Sequence, residues 1–593
     1  MANYLDQVWL AYAFTEPLSE HGIAGALARV EGHYQRLYPE PLELERGGDA
    51  LVGTALWQRP NAGLRRALAV RSGPHTLVST GALSGAEAVV PGAGAEPGAE
   101  LARRLLADPD AAARLNPPFT LAVHSTEGEG RMVIANDVIG AARLYAMELP
   151  GGWAWSNRLG ALPLFAGVPP RADERAWSVL AATGWFLGEA TAIEGVRQLG
   201  PASVVEAERS GGATRVSSRR NLAAVRELVE PRRARLAESA DAAAEAARGL
   251  VGDVAAAWGV PIDVDLSGGR DSRVSAAAAI AAGAEIELRT VDLEQGELDV
   301  VEGLIERAPR WIPSRVQGAE QEPEDALATR LANLHLAHDG MRNPQAVLRA
   351  PMPIPHPVSE RPVISGHGGE LGHGFYYADA RQLRRLRRGG DEALAERLLR
   401  AARKKHGAAR DDAYAAYSEE VRRTLAEGRQ LGLDGPPLLD YYYLAQRLAN
   451  RSGLTTRNDR WSACSIPAFV RACFDLTPRQ RLGSKMHGLV IGRLVGEWRR
   501  TPYFEGVAGL DGGTKRARVW EKPGHREELE AIIDADESWH ELFQPDLIRA
   551  MWAEVLEGGG HHHYEGAFTR IAWRAGFEAH LDVLGRAATA AGS

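Results

Sequence analysis

The sequence predicts an α+β N-terminal domain followed by an α/β domain with helical additions, on three observations. Residues 1 to about 210 carry short β-type runs separated by turn residues. Residues 261–308 alternate strand and helix patterns, as a parallel, doubly wound sheet requires. From about residue 375 onward helical spacing dominates, with breaks at Gly389-Gly390, Gly435-Pro436-Pro437 and Gly512-Gly513.

The N-terminal runs are Thr76-Leu-Val-Ser-Thr, Phe119-Thr-Leu-Ala-Val, Met132-Val-Ile-Ala and Leu144-Tyr-Ala-Met. The texture changes around Gly211-Gly212, and Leu222 to Val251 reads as one long helical stretch rich in Ala, Arg and Glu. The boundary is therefore placed near 215, giving domains over 1–215 and 216–593. Beyond it, Pro261 to Leu266 and Glu285 to Val291 are strand candidates, while Ser272 to Ala282 and Val300 to Ala308 are helix candidates. A chain of 593 residues has the length for two large domains.

Composition narrows the class of function. A formal charge of −8 argues against bulk binding of nucleic acid, which calls for a basic face to neutralise phosphates. The arginine-rich stretch from Arg381 to Lys405 reads as the solvated face of a helix. No apolar run approaches the roughly 20 residues of a membrane-spanning helix, so no membrane partner is expected. Only two cysteines, Cys464 and Cys473, and an N-terminus without a basic start and apolar core fit the reducing cytoplasm.

The strongest chemical signal is Val264-Asp-Leu-Ser-Gly-Gly-Arg-Asp-Ser272, in which a strand pattern ends in small residues and opens a helix. Glycines let the backbone approach an anion, and N–H groups at a helix start supply donors and the positive end of a dipole. Ser267 and Ser272 add hydroxyls. Asp271 is electrostatically wrong for a bare phosphate, and a carboxylate beside a phosphate cradle points to a bridging Mg²⁺. The bland alternative is a strand-to-helix turn capped by Ser and Asp.

This Ser-Gly-Gly-x-Asp-Ser string resembles the pyrophosphate-binding loop of the asparagine synthetase family, whose ATP-pyrophosphatase domain cleaves ATP to AMP and pyrophosphate. Val363-Ile-Ser-Gly-His-Gly-Gly-Glu370 is similar to the family's second element, a strand followed by Ser-Gly-x-Gly-x-Asp whose last carboxylate is a metal ligand. Glu370 fills that place here, one methylene longer. Asn458 to Phe469 looks like a weaker third element, and Cys464 within it reads as a small buried residue. The resemblance implies Mg-ATP across Ser267, Gly268, Gly269, Asp271, Ser272 and Glu370, with Asp271 and Glu370 on the metal. Leu266, Val291, Ser365 and Gly366 would lie near the nucleoside.

Leu115-Asn116-Pro-Pro-Phe119, Asn136-Asp137, Trp155-Ser-Asn157 and Thr191-Ala-Ile-Glu-Gly195 follow the pattern of the family's glutaminase-like domain, an αββα sandwich. Glutamine-using members place a cysteine directly after the initiator Met, and Ala2 stands there in this chain. That nucleophile needs thiol and α-amine on one terminal residue, so neither Cys464 nor Cys473 replaces it. The amine then arrives with the substrate, as in two branches this arrangement resembles, the β-lactam synthetases and the lasso peptide cyclases.

In the β-lactam branch a Tyr occupies the slot filled here by His367, which is a candidate base or a hydrogen-bond donor. The family's late-loop Lys is missing. Arg500 and Lys515 are candidate cations for the charge that develops during reaction, and Asp440 is a further candidate base. His561-His562-His563 reads as a glycine-flanked loop, because adjacent residues on a helix do not share a face.

The resemblance favours a lasso peptide cyclase that uses ATP and Mg²⁺ to adenylate an Asp or Glu side chain and close a macrolactam with the peptide's N-terminal amine. Its partners would be a precursor peptide, a leader peptidase and a leader-recognition protein. A β-lactam synthetase, an ammonia-dependent asparagine synthetase and a non-catalytic scaffold are the competing readings.

Overall fold

A computed structural model of the chain describes residues 7–59, 63–92, 98–232, 236–291, 295–317, 325–348, 360–451, 459–504, 518–535, 538–561 and 563–590. Its strands form three sheets. The first two are antiparallel and built from β1 (Gln7–Phe14), β2 (Glu43–Gly48), β3 (Val52–Gln58), β4 (Ala69–Ser72), β5 (His75–Ser79), β6 (Thr120–Ser125), β7 (Arg131–Asn136), β8 (Tyr145–Leu149), β9 (Gly152–Ser156), β10 (Val196–Gln198), β11 (Ser203–Ser210) and β12 (Ala213–Arg220). Their orders are β10-β8-β9-β1-β3-β2 and β12-β11-β7-β6-β5-β4.

These two sheets pack face to face. Trp9, Ala11 and Ala13 of β1 meet Ala122, Met132, Ile134 and Val205 of the second sheet. The alternate residues Val8, Leu10, Tyr12 and Phe14 pack instead with Ile23, Leu27 and Val30 of the helix Glu20–Tyr34. On the far side, Leu121, Val123 and Val133 cover Leu101 and Leu105 of the helix Gly98–Ala107. With a helix on one side and the second sheet on the other, both faces of β1 are covered, so it is buried at all its positions. The Trp9 indole donates to Thr120 Oγ1 at 2.9 Å and ties one sheet to the other.

The boundary expected near 215 falls inside β12. Gly211 and Gly212 have φ of 59° and 81°, so they form the two-residue turn of the β11–β12 hairpin, where positive φ at both positions suits the strand twist. The sheet ends at Arg220. The stretch expected as one helix over 222–251 is two, Leu222–Val229 and Leu236–Ala257. Pro231 follows the first, and its ring and missing N–H do not continue a helix.

The third sheet is parallel, with β13 (Ile262–Asp265), β14 (Ile286–Val291), β15 (Ser314–Gln317), β16 (Val363–Ser365) and β17 (Arg460–Ser462) in the order β15-β14-β13-β16-β17. The chain runs from β13 outward through β14 to β15 and then returns to the other side of β13 with β16. The direction of winding therefore reverses between β13 and β16, and in such sheets a crevice opens there beyond the carboxyl ends of the strands. From Ala380 on the described residues are mostly helical, and the helix Ala380–His406 is interrupted at Gly390, whose φ is 61°. The break expected at Gly512-Gly513 lies outside the described residues.

Candidate active site

A cleft of about 540 Å³ lies over the carboxyl end of the parallel sheet, lined by the last residues of four strands: Asp265, Val291, Gln317 and Ser365. Between β13 and the helix Asp271–Ala281 the chain turns through Leu266 to Arg270. The turn is held by its own serines. Ser272 Oγ accepts from Ser267 N at 3.0 Å and lies 2.8 Å from Ser267 Oγ, which accepts from Gly269 N at 3.2 Å.

The loop after β16 is pressed onto this turn. A Cβ at Gly366 would lie 2.3 Å from Ser272 N, and one at Gly369 would lie 2.4 Å from the Asp271 carboxylate. Both positions demand glycine, which explains why two glycine-rich strings far apart in sequence meet at one place. Ser275 Oγ donates to Ser365 O at 2.6 Å and locks β16 beside the helix.

Most of the expected binding residues come together. Leu266, Ser267, Gly269, Asp271, Ser272, Val291, Ser365, Gly366, His367 and Glu370 all line the cleft. Gly268 does not. It is buried under Phe504, whose N–H donates to Gly268 O at 2.9 Å, and a Cβ there would sit 2.6 Å from Phe504 Cβ. Arg273, 1% exposed, staples this cover by donating to the carbonyls of Gly268, Thr501 and Pro502 at 2.9, 2.7 and 3.0 Å.

Asp271 carries the electrostatics of the site. Burial opposes its ionisation, but imidazoles on both sides, His373 and His487, hold the carboxyl well below the usual range. His487 Nε2 is 2.8 Å from Oδ1 and His373 Nε2 is 3.8 Å from Oδ2. Glu370 accepts from the Tyr443 hydroxyl at 2.6 Å, and burial together with that carboxylate raises the phenol well above its ordinary value, so it stays a donor. Burial pushes the His367 imidazole down to about 4, with Arg460 adding to the effect, so the ring is neutral at pH 7. Its Nδ1 lies 2.8 Å from Ser365 Oγ.

Among the described residues, the cations that line the cleft do not include Arg500. It is exposed at the end of the Gly496–Arg500 turn. Lys515 lies outside the described residues. The lining supplies Arg270, Arg289 and Arg460. Burial raises the Asp265 carboxyl, but Arg460 and Arg289 more than offset it and keep it ionised below its usual range. Asp440 is corrected as well. It is 2% exposed, forms an ion pair with the fully buried Arg481, and accepts from the Tyr377 hydroxyl, 3.1 and 3.0 Å from its two oxygens. A carboxylate committed to a buried guanidinium is unavailable as a base.

Sequence reasoning also missed Glu297, whose Oε1 accepts from Gly268 N at 3.1 Å, and Tyr443 and His487, which hold the two acidic residues. None has a fixed spacing from the loop, so no local pattern in the sequence marks them. A comparison with protein-family models and with curated proteins finds no match to this chain.

Proposed function

We propose that this chain is an ATP-dependent, AMP-forming amide ligase of the lasso peptide cyclase kind. It would adenylate an Asp or Glu side chain of a precursor peptide and join it to the peptide's N-terminal amine, releasing AMP and pyrophosphate. The observation that carries the reading is the placement of the Ser267–Ser272 turn at a helix start on the carboxyl end of the central strand, with Asp271 and Glu370 in the same cleft.

The residues present fit the groups this reaction needs. The cleft volume suits a small-molecule site. Helix-start amides and three arginines favour an anion, while two carboxylates and several hydroxyls are the hard oxygen donors Mg²⁺ prefers. Asp271 and Glu370 would hold the metal, which when bound neutralises phosphate oxygens. Tyr443 orients Glu370, and His373 and His487 keep Asp271 ionised. The Gly268 amide is not among the donors free to an anion, because the Glu297 carboxylate accepts from it at 3.1 Å. His367 is too weakly basic at pH 7 to carry ring closure alone. An amine in the same folded peptide supplies the compensation, since well-oriented groups reach effective molarities of roughly 10⁵ to 10⁸ M.

The test is AMP formation by the purified chain with Mg-ATP and, in separate reactions, a precursor peptide with its leader peptidase, a β-amino acid, and aspartate with ammonia. AMP together with a peptide lighter by one water is expected in the first alone. AMP in either of the others assigns the chain to the corresponding small-molecule reaction, and AMP in none of them favours the scaffold.

A further inference from the structure

Away from the cleft, three elements distant in sequence bring ionisable side chains to one buried point. His33 lies in the last turn of the helix Glu20–Tyr34 and is 3% exposed; His580 lies on the helix Tyr564–Thr589 and is 5% exposed. Asp339 follows the helix Leu327–His338, and its φ of 49° is a left-handed conformation that few residues other than glycine adopt without cost. One ligand atom from each of the three lies within 4.8 Å of the other two.

The group is short of hydrogen bonds. Neither ring nitrogen of His33, nor His580 Nε2, nor Asp339 Oδ1 has a hydrogen-bond partner. Each buried polar atom left so costs about 1–3 kcal/mol, and a core does not gather several at one place without a return. The other carboxylate oxygen is fully used: Asp339 Oδ2 accepts from the Tyr34 hydroxyl at 3.0 Å and lies 3.6 Å from Arg158 Nε. Arg158 is itself anchored on Leu336 O and over the Tyr34 ring. Hydroxyl and guanidinium thus fix the carboxylate from behind and leave Oδ1 facing the two imidazoles, the arrangement by which outer groups orient a metal ligand. Gly160 makes the room, because a Cβ there would lie 2.7 Å from Oδ1.

We propose that His33, Asp339 and His580 bind a divalent transition-metal ion, best matched by zinc, which clasps the first helix and the last long helix of the chain to the end of the helix Leu327–His338. Two imidazoles and one carboxylate are a zinc donor set rather than a magnesium one. Bonds of about 2.0 Å place tetrahedral ligands about 3.3 Å apart. His580 Nε2 and Asp339 Oδ1 are already at 3.5 Å, and the ligand atom of His33 lies within 4.8 Å of both partners' ligand atoms.

The test uses the full chain freed of metal with a chelator and titrated with Co²⁺, whose tetrahedral complexes absorb in the visible. One equivalent should give a saturable band, displaced by Zn²⁺, and Zn²⁺ should raise the Tm. His33→Gln and His580→Gln should each lose both effects, and Asp271→Asn should keep both, which separates this site from the cleft. No saturable band in the wild-type chain, a reading that needs no variant to fold, overturns the proposal. So does a band that survives in His580→Gln.

Discussion

Asp271 and Asp440 are both buried or partly buried aspartates beside a basic partner, and the structure gives them opposite work. Asp271 sits at the first turn of a helix, open to the cleft, with the imidazoles of His373 and His487 on either side. Asp440 sits in the helix Pro437–Tyr442, closed off by a guanidinium that cannot lose its charge and by a phenol. A carboxylate with soft partners and solvent access is free to take up a cation. One matched to a permanent charge in the core holds the fold and nothing else.

The sharpest test of that contrast is Asp271→Ala, which should lower substrate-dependent pyrophosphate release by at least about 10³-fold, because the phosphate charge is then no longer offset by a bound metal. The Tm should fall somewhat, since the fully buried His487 loses its partner at 2.8 Å, so release is compared per folded molecule. Release at the wild-type rate would remove Asp271 from the site.

Asp440→Asn should do the reverse. It leaves Arg481 charged and unpaired at 0% exposure, and breaking a buried pair in this way costs about 3–5 kcal/mol. Urea denaturation measures the loss, while pyrophosphate release per folded molecule should stay near wild type. Replacing both partners, Asp440→Asn with Arg481→Met, should recover part of the stability. A folded single variant with normal stability and no activity would return Asp440 to the list of bases.

The two aspartates also mark what was legible in the sequence. The Ser267–Ser272 string announces itself because the backbone conformation, the glycines and the helix start are all local, and the Gly366 and Gly369 positions are visible for the same reason. Asp440 reads as a candidate base in the sequence because its partner, Arg481, is distant along the chain and no local pattern signals the pairing. The same holds for Glu297, Tyr443 and His487 around the cleft, and for His33, Asp339 and His580. The strands at Thr76, Phe119, Met132 and Leu144 show as short apolar runs between turn residues, but the boundary placed near 215 falls inside a strand, because the hairpin turn at Gly211-Gly212 and a linker have the same composition.

A smaller effect separates metal ligand from ligand support. Tyr443→Phe keeps the ring packed against Phe375 and deletes only the hydroxyl that donates to Glu370. A hydrogen bond to a charged group is worth about 1.5–3 kcal/mol, so the Mg²⁺ concentration for half-maximal activity should rise by at least about tenfold, with the rate at saturating Mg²⁺ little changed. A fall in the saturated rate with an unchanged Mg²⁺ requirement would mean that Tyr443 serves the reacting groups instead.

The smallest effect is on stability and concerns the neutral imidazole of the cleft. His367 titrates near 6.5 in an unfolded chain and at about 4 here, because burial disfavours its charged form. Between those values the unfolded state binds more protons than the folded one, so stability rises with pH across that window. No penalty from this group exists above about pH 6.5; it grows as pH falls toward 4 and is constant below. Each unit of difference is worth about 1.4 kcal/mol at full effect, and the true slope is smaller because the ring is only half-buried. His367→Gln should therefore flatten the loss of stability between pH 6.5 and 4 relative to wild type, measured by urea denaturation at fixed ionic strength. Parallel curves for the two proteins would show that His367 takes up its proton in the folded state, which would give the cleft a cation at mildly acid pH and make its imidazole a stronger candidate for the base that the neutral ring is too weak to be.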